Sequence, residues 1–318
     1  MLTFLTWDIH IWFAWVVGIY TFVHSICMVT KCLIRNFVRN PLDLSKRYGD
    51  GSWVLVTGAT GGIGEEYCLQ LAQKGFNIII SGRNKQAIEE MEANVKKTNT
   101  KVKTKALVAD LSQTISPSFY EKLINEVKDL DISILINNAA SADSAFFEDV
   151  SLETHLDRAR INIGAPTMLC HKLITKLLGR NKKSCIINIS SLSQTGPIPF
   201  VGEYSGSKRF VSLLSYHLHD NYGDKIDIQD LMPGFVTTKI NRYYKGPDAI
   251  TAKECVESSL RDLGQEFSTI PALSHSAEMQ LFHLTYHFCK PFFRMLAVGA
   301  CEKRALELYY QDNSHNSH

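Results

Sequence analysis

The stretch Trp53-Val54-Leu55-Val56-Thr57-Gly58-Ala59-Thr60-Gly61-Gly62-Ile63-Gly64 decides how the chain is read. Its first five residues form an apolar, β-branched run of strand length. Residues 63–74 then carry helical periodicity up to Gly75, which reads as a C-cap. A dinucleotide pyrophosphate needs close approach of the backbone and a helix N-terminus aimed at it. Glycines provide the room, and the helix end provides free N–H groups and partial positive charge. A glycine run can also be a plain turn, so the flanking strand and helix carry the reading. The candidate cofactor contacts here are Gly58, Thr60, Gly62, Ile63 and Gly64.

Outward from this turn, short apolar runs alternate with amphipathic stretches. Strands are expected at 53–57, 77–81, 104–109, 132–136, 184–189 and 225–231. Helices are expected at 63–74, 85–97, 118–130, 153–178 and 203–222. That alternation predicts an α/β fold, a Rossmann-type doubly wound parallel sheet. Continuous Val, Ile and Leu runs suit strands covered on both faces. Thr251-Ala252-Lys253-Glu254 has the capping-box pattern that starts one more helix.

The end of the second strand selects the nucleotide. A carboxylate there would hold the ribose hydroxyls of NAD, but the residues are Ser81-Gly82-Arg83-Asn84. Arg83 suits a 2′-phosphate, which predicts NADP(H) as cofactor; a plain surface arginine is the alternative.

Tyr204 and Lys208 stand four residues apart on an expected helix, so they share a face. A tyrosine near its ordinary pKa of about 10 exchanges its proton poorly at neutral pH, and a neighbouring ammonium is expected to lower that value. Ser191 ends a neighbouring strand, where it can hydrogen-bond the same substrate oxygen. Tyr-x-x-x-Lys alone is common by chance; the ordered set of glycine turn, serine, tyrosine and lysine is not.

Composition narrows the alternatives. The formal net charge is +2, without the strongly basic balance of a nucleic-acid binder. The eight cysteines are scattered, with no C-x-x-C pair, and the eleven histidines show no H-E-x-x-H pattern. No metal site or disulfide framework is expected. The run from Ile9 to Thr30 holds no Asp, Glu, Lys or Arg over 22 residues, and Lys31, Arg35, Arg39, Lys46 and Arg47 follow it. Its length and flanks predict an N-terminal membrane helix with the bulk of the chain in the cytosol. A cleaved signal peptide would carry a basic n-region and a small-residue cleavage site, and neither is visible. Near the other end, Leu281–Ala300 is aromatic and apolar, with Lys290 and Arg294 set among Phe282, Phe288, Phe292 and Phe293. It reads either as a segment on a membrane surface or as a packed C-terminal helix. The expected organisation is an anchor and basic linker over 1–48, a nucleotide-binding domain over 49–271 and an apolar extension over 272–318.

Taken together, these residues resemble the short-chain dehydrogenase/reductase family over about residues 51–263. The resemblance includes the T-G-x-x-x-G-x-G turn, Asp110, Asn137-Asn138-Ala139, Asn162, Ser191, Tyr204, Lys208 and Pro233-Gly234-Phe235-Val236. It implies that Asp110 contacts the adenine and that the Asn137-Asn138-Ala139 segment steadies the sheet beside the cofactor. It further implies that Asn162 holds a water linking Lys208 to solvent, and that Val236 and Thr238 flank the nicotinamide. Ala140 departs from the glycine usual after Asn-Asn-Ala. The layout further resembles the microsomal 17β-hydroxysteroid dehydrogenase and very-long-chain 3-oxoacyl-CoA reductase branch. That resemblance implies a membrane-anchored reductase on the endoplasmic reticulum, with an apolar steroid or acyl-CoA substrate and homodimer pairing through the two long helices. The competing expectation is a membrane-tethered scaffold that binds nucleotide without turnover.

Overall fold

A computed structural model of the 318-residue chain describes residues 2–142, 145–196, 198, 200–288 and 291. The chain divides into two units, Met1–Pro41 and Leu42–His318.

The first unit is a helix, α1 (Leu2–Leu33), continued by a π-helical turn at Ile34–Val38. Among the described residues, no helix is long and apolar enough to cross a membrane. This corrects the expected N-terminal membrane helix. The physical reason lies in what breaks the aliphatic run. Trp12, Trp15, Tyr20, Thr21 and His24 recur through it, and such side chains favour an interface or polar partners over hydrocarbon. Thr21 spends its hydroxyl on the Val17 carbonyl at 2.7 Å. The membrane partner, the anchored form of the reductase and the endoplasmic-reticulum placement all rested on that span and are dropped with it. The expected pairing of two copies finds no support among the described residues and is not carried further.

The second unit starts with a short helix, α2 (Leu44–Tyr48), capped by Asp43. Then come β1 (Trp53–Thr57), α3 (Gly62–Gln73), β2 (Asn77–Gly82), α4 (Lys85–Thr98) and β3 (Thr104–Val108). Next follow α5 (Pro117–Asn125), β4 (Ile132–Asn137), α6 (Leu152–Ala159) and α7 (Ala165–Leu178). The last elements are β5 (Ser184–Ile189), α8 (Gly202–Tyr222), β6 (Ile226–Leu231), α9 (Ala252–Asp262), β7 (Ser268–Thr269) and α10 (Leu273–Phe288).

The seven strands form one sheet in the order β3-β2-β1-β4-β5-β6-β7, and every pairing is parallel. The expected doubly wound sheet is present. Strand side chains alternate between two cores. Val54, Val56, Ile78, Ile80, Ile134 and Ile136 pack with Tyr67, Cys68 and Leu71 of α3 on one face. Leu55, Ile79, Leu135 and Ile186 pack with Leu169 and Leu173 of α7 on the other. Each fully buried aliphatic side chain contributes about 1.5–3 kcal/mol. The strand order reverses between β1 and β4, so the crevice for a ligand opens at their C-terminal ends.

The sequence suggests one helix over 153–178, but the structure has two, joined by a π-helical turn at Arg160–Gly164. Pro166 accounts for it. Proline has no N–H to give the carbonyl four residues back, that of Asn162, and the helix widens at that point.

Two elements that the pattern does not announce, α2 and β7, close the sheet's base and edge. Arg47 of α2 binds Asp227 of β6 through Nε at 2.5 Å and Nη2 at 2.9 Å, and Tyr48 donates its hydroxyl to the same carboxylate at 2.7 Å. Burial pushes the Asp227 carboxyl up, but the hydrogen bonds from Arg47 and Tyr48 and the charges of Arg47 and Lys183 outweigh it and hold it below the ordinary value. A depressed carboxyl contributes stability above its unfolded pKa of about 3.9 and loses it as pH falls through the folded value. Asp227→Asn should therefore cost about 2–3 kcal/mol at pH 7, because it leaves the Arg47 charge uncompensated. The gap between variant and wild type should narrow below about pH 4. Denaturant unfolding at both pH values measures it.

At the C-terminal end, α10 begins against the second unit's core, with His275 buried on its first turn. Its Met279 sits against Leu192, Met232 and Ile270. The expected basic-aromatic part with Lys290, Phe292, Phe293 and Arg294 lies outside the described residues.

Candidate active site

The glycine turn is built as a cradle. Gly58 and Gly62 have φ values of +61° and +57°, which side chains rarely adopt. At Gly64, a Cβ would run into the Gly58 carbonyl oxygen and come within 2.5 Å of Asn138 Nδ2. At Gly61 it would meet nothing within 4 Å, so the turn is open on the crevice side. No side chain caps the N-terminus of α3, which leaves its first amides free for an anion. These features fit a dinucleotide pyrophosphate.

Asn138 and Thr57 fix the turn against β4. Asn138 Nδ2 donates to the carbonyls of Thr57 at 2.9 Å and Gly58 at 3.1 Å. Thr57 Oγ1 accepts the amides of Asn138 and Ala139, both at 3.0 Å. Thr57 opens the glycine motif, but the sequence reading assigned it no role. A hydroxyl at the last position of the first strand was the available signal.

The other expected cofactor residues fall into two groups. Arg83 is exposed at the end of β2 and makes no ion pair among the described residues, so its guanidinium is available to a phosphate. Thr60 packs beside Gly82, one residue from Arg83. Asp110 follows β3, and its Oδ1 takes the Ser112 amide at 3.0 Å and hydroxyl at 2.8 Å. Val236 is buried and forms an isolated parallel bridge with Ile250. Thr238 packs its methyl close to Gly62, bringing the segment after β6 to the lip of the cradle. Two residues commit their side chains to packing or to the sheet. Ile63 packs against the core, which leaves only its backbone at the turn. Asn137 gives its Nδ2 to Asn188 Oδ1 at 2.8 Å and Cys170 Sγ at 3.3 Å, so its side chain ties β4 to β5 and α7.

The proton-handling set comes from three elements. Ser191 lies two residues beyond the end of β5; its hydroxyl accepts the Ser193 amide at 3.2 Å and lies 3.4 Å from the Pro233 carbonyl. Tyr204 and Lys208 lie one turn apart on α8, and the Lys208 ammonium stands 5.5 Å from the centre of the Tyr204 ring. Lys208 is buried and donates to the Ile189 carbonyl at 2.7 Å. Asn162 sits in the π-helical turn. Its side chain binds Ser141 twice, accepting from the amide and donating to the carbonyl at 2.8 Å each, and reaches Ser207 Oγ at 3.2 Å. A cavity of about 10 Å³ lies between Asn162, Lys208, Ile189 and Thr57. That is about the room one water needs, with polar groups on its wall.

The electrostatics differ from the expected lowering of the tyrosine by the lysine. Burial pushes the Tyr204 phenol up to about 12, and the hydrogen bond with Ser191 opposes this only in part. Burial lowers the Lys208 ammonium to about 8 against the pull of Asp230. Desolvation is the largest cause at both groups, with Lys208 buried and Tyr204 half-buried. Asp230 is itself buried and held by the hydroxyls of Ser190 at 2.5 Å and Ser212 at 2.6 Å.

Comparison with known proteins identifies the family. The family model described as short chain dehydrogenase matches residues 52–247. Human very-long-chain 3-oxoacyl-CoA reductase is 30% identical over 233 residues, covering 72% of this chain and 73% of the relative. Hydroxysteroid dehydrogenase-like protein 1 of Gallus gallus is 31% identical over 251 residues, covering 76% and 73%. A solved short-chain dehydrogenase from Sphingobium yanoikuyae in complex with NADPH superposes with a TM-score of 0.65 at 27% identity, covering 74% of this chain and 94% of that one.

Proposed function

The chain belongs to the short-chain dehydrogenase family as an NAD(P)(H)-dependent oxidoreductase, and we propose that it reduces an apolar carbonyl substrate with NADPH. NADPH, when bound, supplies the hydride that reduces the carbonyl carbon. Gly58, Gly62 and Gly64 leave room for its pyrophosphate, and Arg83 pairs its 2′-phosphate. Ser191 orients the carbonyl and stabilises the developing oxyanion. Tyr204 donates the proton to that oxygen. A phenol raised to about 12 is fully protonated at neutral pH, which suits a donor. Lys208 holds positive charge beside it, and Asn162 positions the 138–141 segment and one wall of the water-sized cavity that leads toward Lys208.

The observation that carries this reading is the Lys208 ammonium standing 5.5 Å from the centre of the Tyr204 ring, with Ser191 acting on the same phenol. The relatives named as 3-oxoacyl-CoA reductases bring a long-chain 3-oxoacyl thioester forward as the first substrate to try, with a 17-ketosteroid second. The test is oxidation of NADPH by the purified protein with each. Turnover of either supports reduction of an apolar carbonyl and names its class. NADPH binding without oxidation by both would favour the scaffold. In the same assay, Arg83→Ala should raise the KM for NADPH by about 10–100-fold, the worth of a charge-assisted hydrogen bond, and leave that for NADH little changed. An unchanged KM for NADPH would remove Arg83 from the phosphate site.

A further inference from the structure

His275 has no part in the chemistry above, yet it is completely buried at the edge of the site. It lies on the first turn of α10, beyond the span of the family match. Its ring bridges two distant backbone points. Nδ1 accepts the Gly234 amide at 3.2 Å, and Nε2 lies 3.0 Å from the Asp248 carbonyl. An amide can only donate and a carbonyl can only accept, so the ring is neutral with its proton on Nε2. Burial lowers its pKa, in keeping with that form. A Cβ at position 234 would stand 2.8 Å from the ring, so only glycine admits the imidazole there.

The two bridged points bound the segment that borders the crevice. Pro233 anchors its start, where the Leu192 amide donates to the Pro233 carbonyl at 3.0 Å and Ser191 Oγ lies 3.4 Å from the same oxygen. Within the segment, Thr238 reaches Gly62, Thr237 Oγ1 donates to the Tyr244 carbonyl at 2.9 Å, and Tyr244 donates its hydroxyl to Asp248 at 3.0 Å. Ile240 and Tyr243 remain exposed on it, as an apolar mouth requires. His275 makes two contacts with this segment, one at each end.

We propose that His275 is a positioning residue for substrate binding, holding residues 235–248 as one wall of the substrate mouth through Gly234 and Asp248. It rests on the reductase reading given above. Removing the ring should free the wall without disturbing Ser191, Tyr204 or Lys208, so that binding suffers and chemistry does not. His275→Ala should raise the carbonyl KM by about tenfold while kcat stays within about twofold. His275→Gln, which has one acceptor and one donor and no charge, should recover much of the KM. Amide hydrogen exchange, measured without any substrate, should quicken over residues 235–250 and stay unchanged in the central strands. An unchanged KM would overturn the proposal. So would a loss of kcat in step with faster exchange throughout, since that describes a structural prop. If the alanine variant fails to fold, the glutamine variant carries the comparison: a KM between wild type and tenfold supports positioning, and an unfolded protein overturns it. If the wild type reduces neither test carbonyl, the reductase reading falls, and the exchange measurement still decides whether His275 holds the segment.

Discussion

Tyr204→Phe is expected to lower carbonyl reduction by about 10²–10⁴-fold, the usual worth of a positioned general acid, while NADPH still binds. The substitution removes one oxygen and keeps the ring under the Lys208 ammonium, so packing and the cation contact survive. Ser191 alone cannot replace the donor, because its hydroxyl is committed to orienting the oxygen. The pH profile should carry the same signature. Wild-type reduction should hold near neutrality and fall above about pH 8, as the buried Lys208 loses its proton near its lowered value of about 8. Tyr204, raised to about 12, stays protonated through that range and does not set the limb. Steady-state rates from pH 6 to 10, with NADPH binding followed by fluorescence, read both effects. Wild-type turnover by the phenylalanine variant would end the tyrosine mechanism.

Gly64→Ala should be nearly as severe, and on a different quantity. The added methyl meets the Gly58 carbonyl and the Asn138 side-chain amide, so the obstacle is backbone on one side and a doubly bonded side chain on the other. Neither can step aside without opening the cradle. Overpacking of that kind costs about 1–3 kcal/mol. Here the turn also loses the shape that admits a pyrophosphate, so NADPH affinity should fall below detection even where the variant folds. Gly61→Ala is the control: its Cβ would meet nothing within 4 Å, and its φ of 178° is ordinary extended backbone, so folding should be unaffected. Thermal unfolding with and without NADPH separates the two effects. Normal nucleotide affinity in the Gly64 variant would overturn the cradle.

The six principal strands were legible because burial on both faces selects long runs of Val, Ile and Leu, and such runs stand out in one dimension. The glycine turn, Tyr204, Lys208 and Ser191 were legible for a related reason. Their chemistry requires particular residue types at short, fixed spacings. What escaped the sequence depends on pairs that are distant along the chain. Asp227 meets Arg47 across 180 residues, and His275 meets Gly234 across 41. The wide turn at Asn162 escaped because periodicity continues through Pro166, although the missing N–H was a readable cause.

The N-terminal run misled through its lack of charge. Freedom from Asp, Glu, Lys and Arg is not the same as hydrocarbon character when Trp, Tyr, Thr and His interrupt it. Asn137 ties β4 to Asn188 of β5, which fits the sheet-steadying role that the resemblance implies for its segment. By itself, the sequence determined the sheet, the glycine turn and the set of residues proposed to handle the proton, since local propensity and local chemistry write those patterns directly. Only the tertiary structure bears on how burial shifts Tyr204 and Lys208 and on how His275 reaches Gly234 and Asp248, because desolvation and long-range hydrogen bonds depend on what the folded chain places around each group.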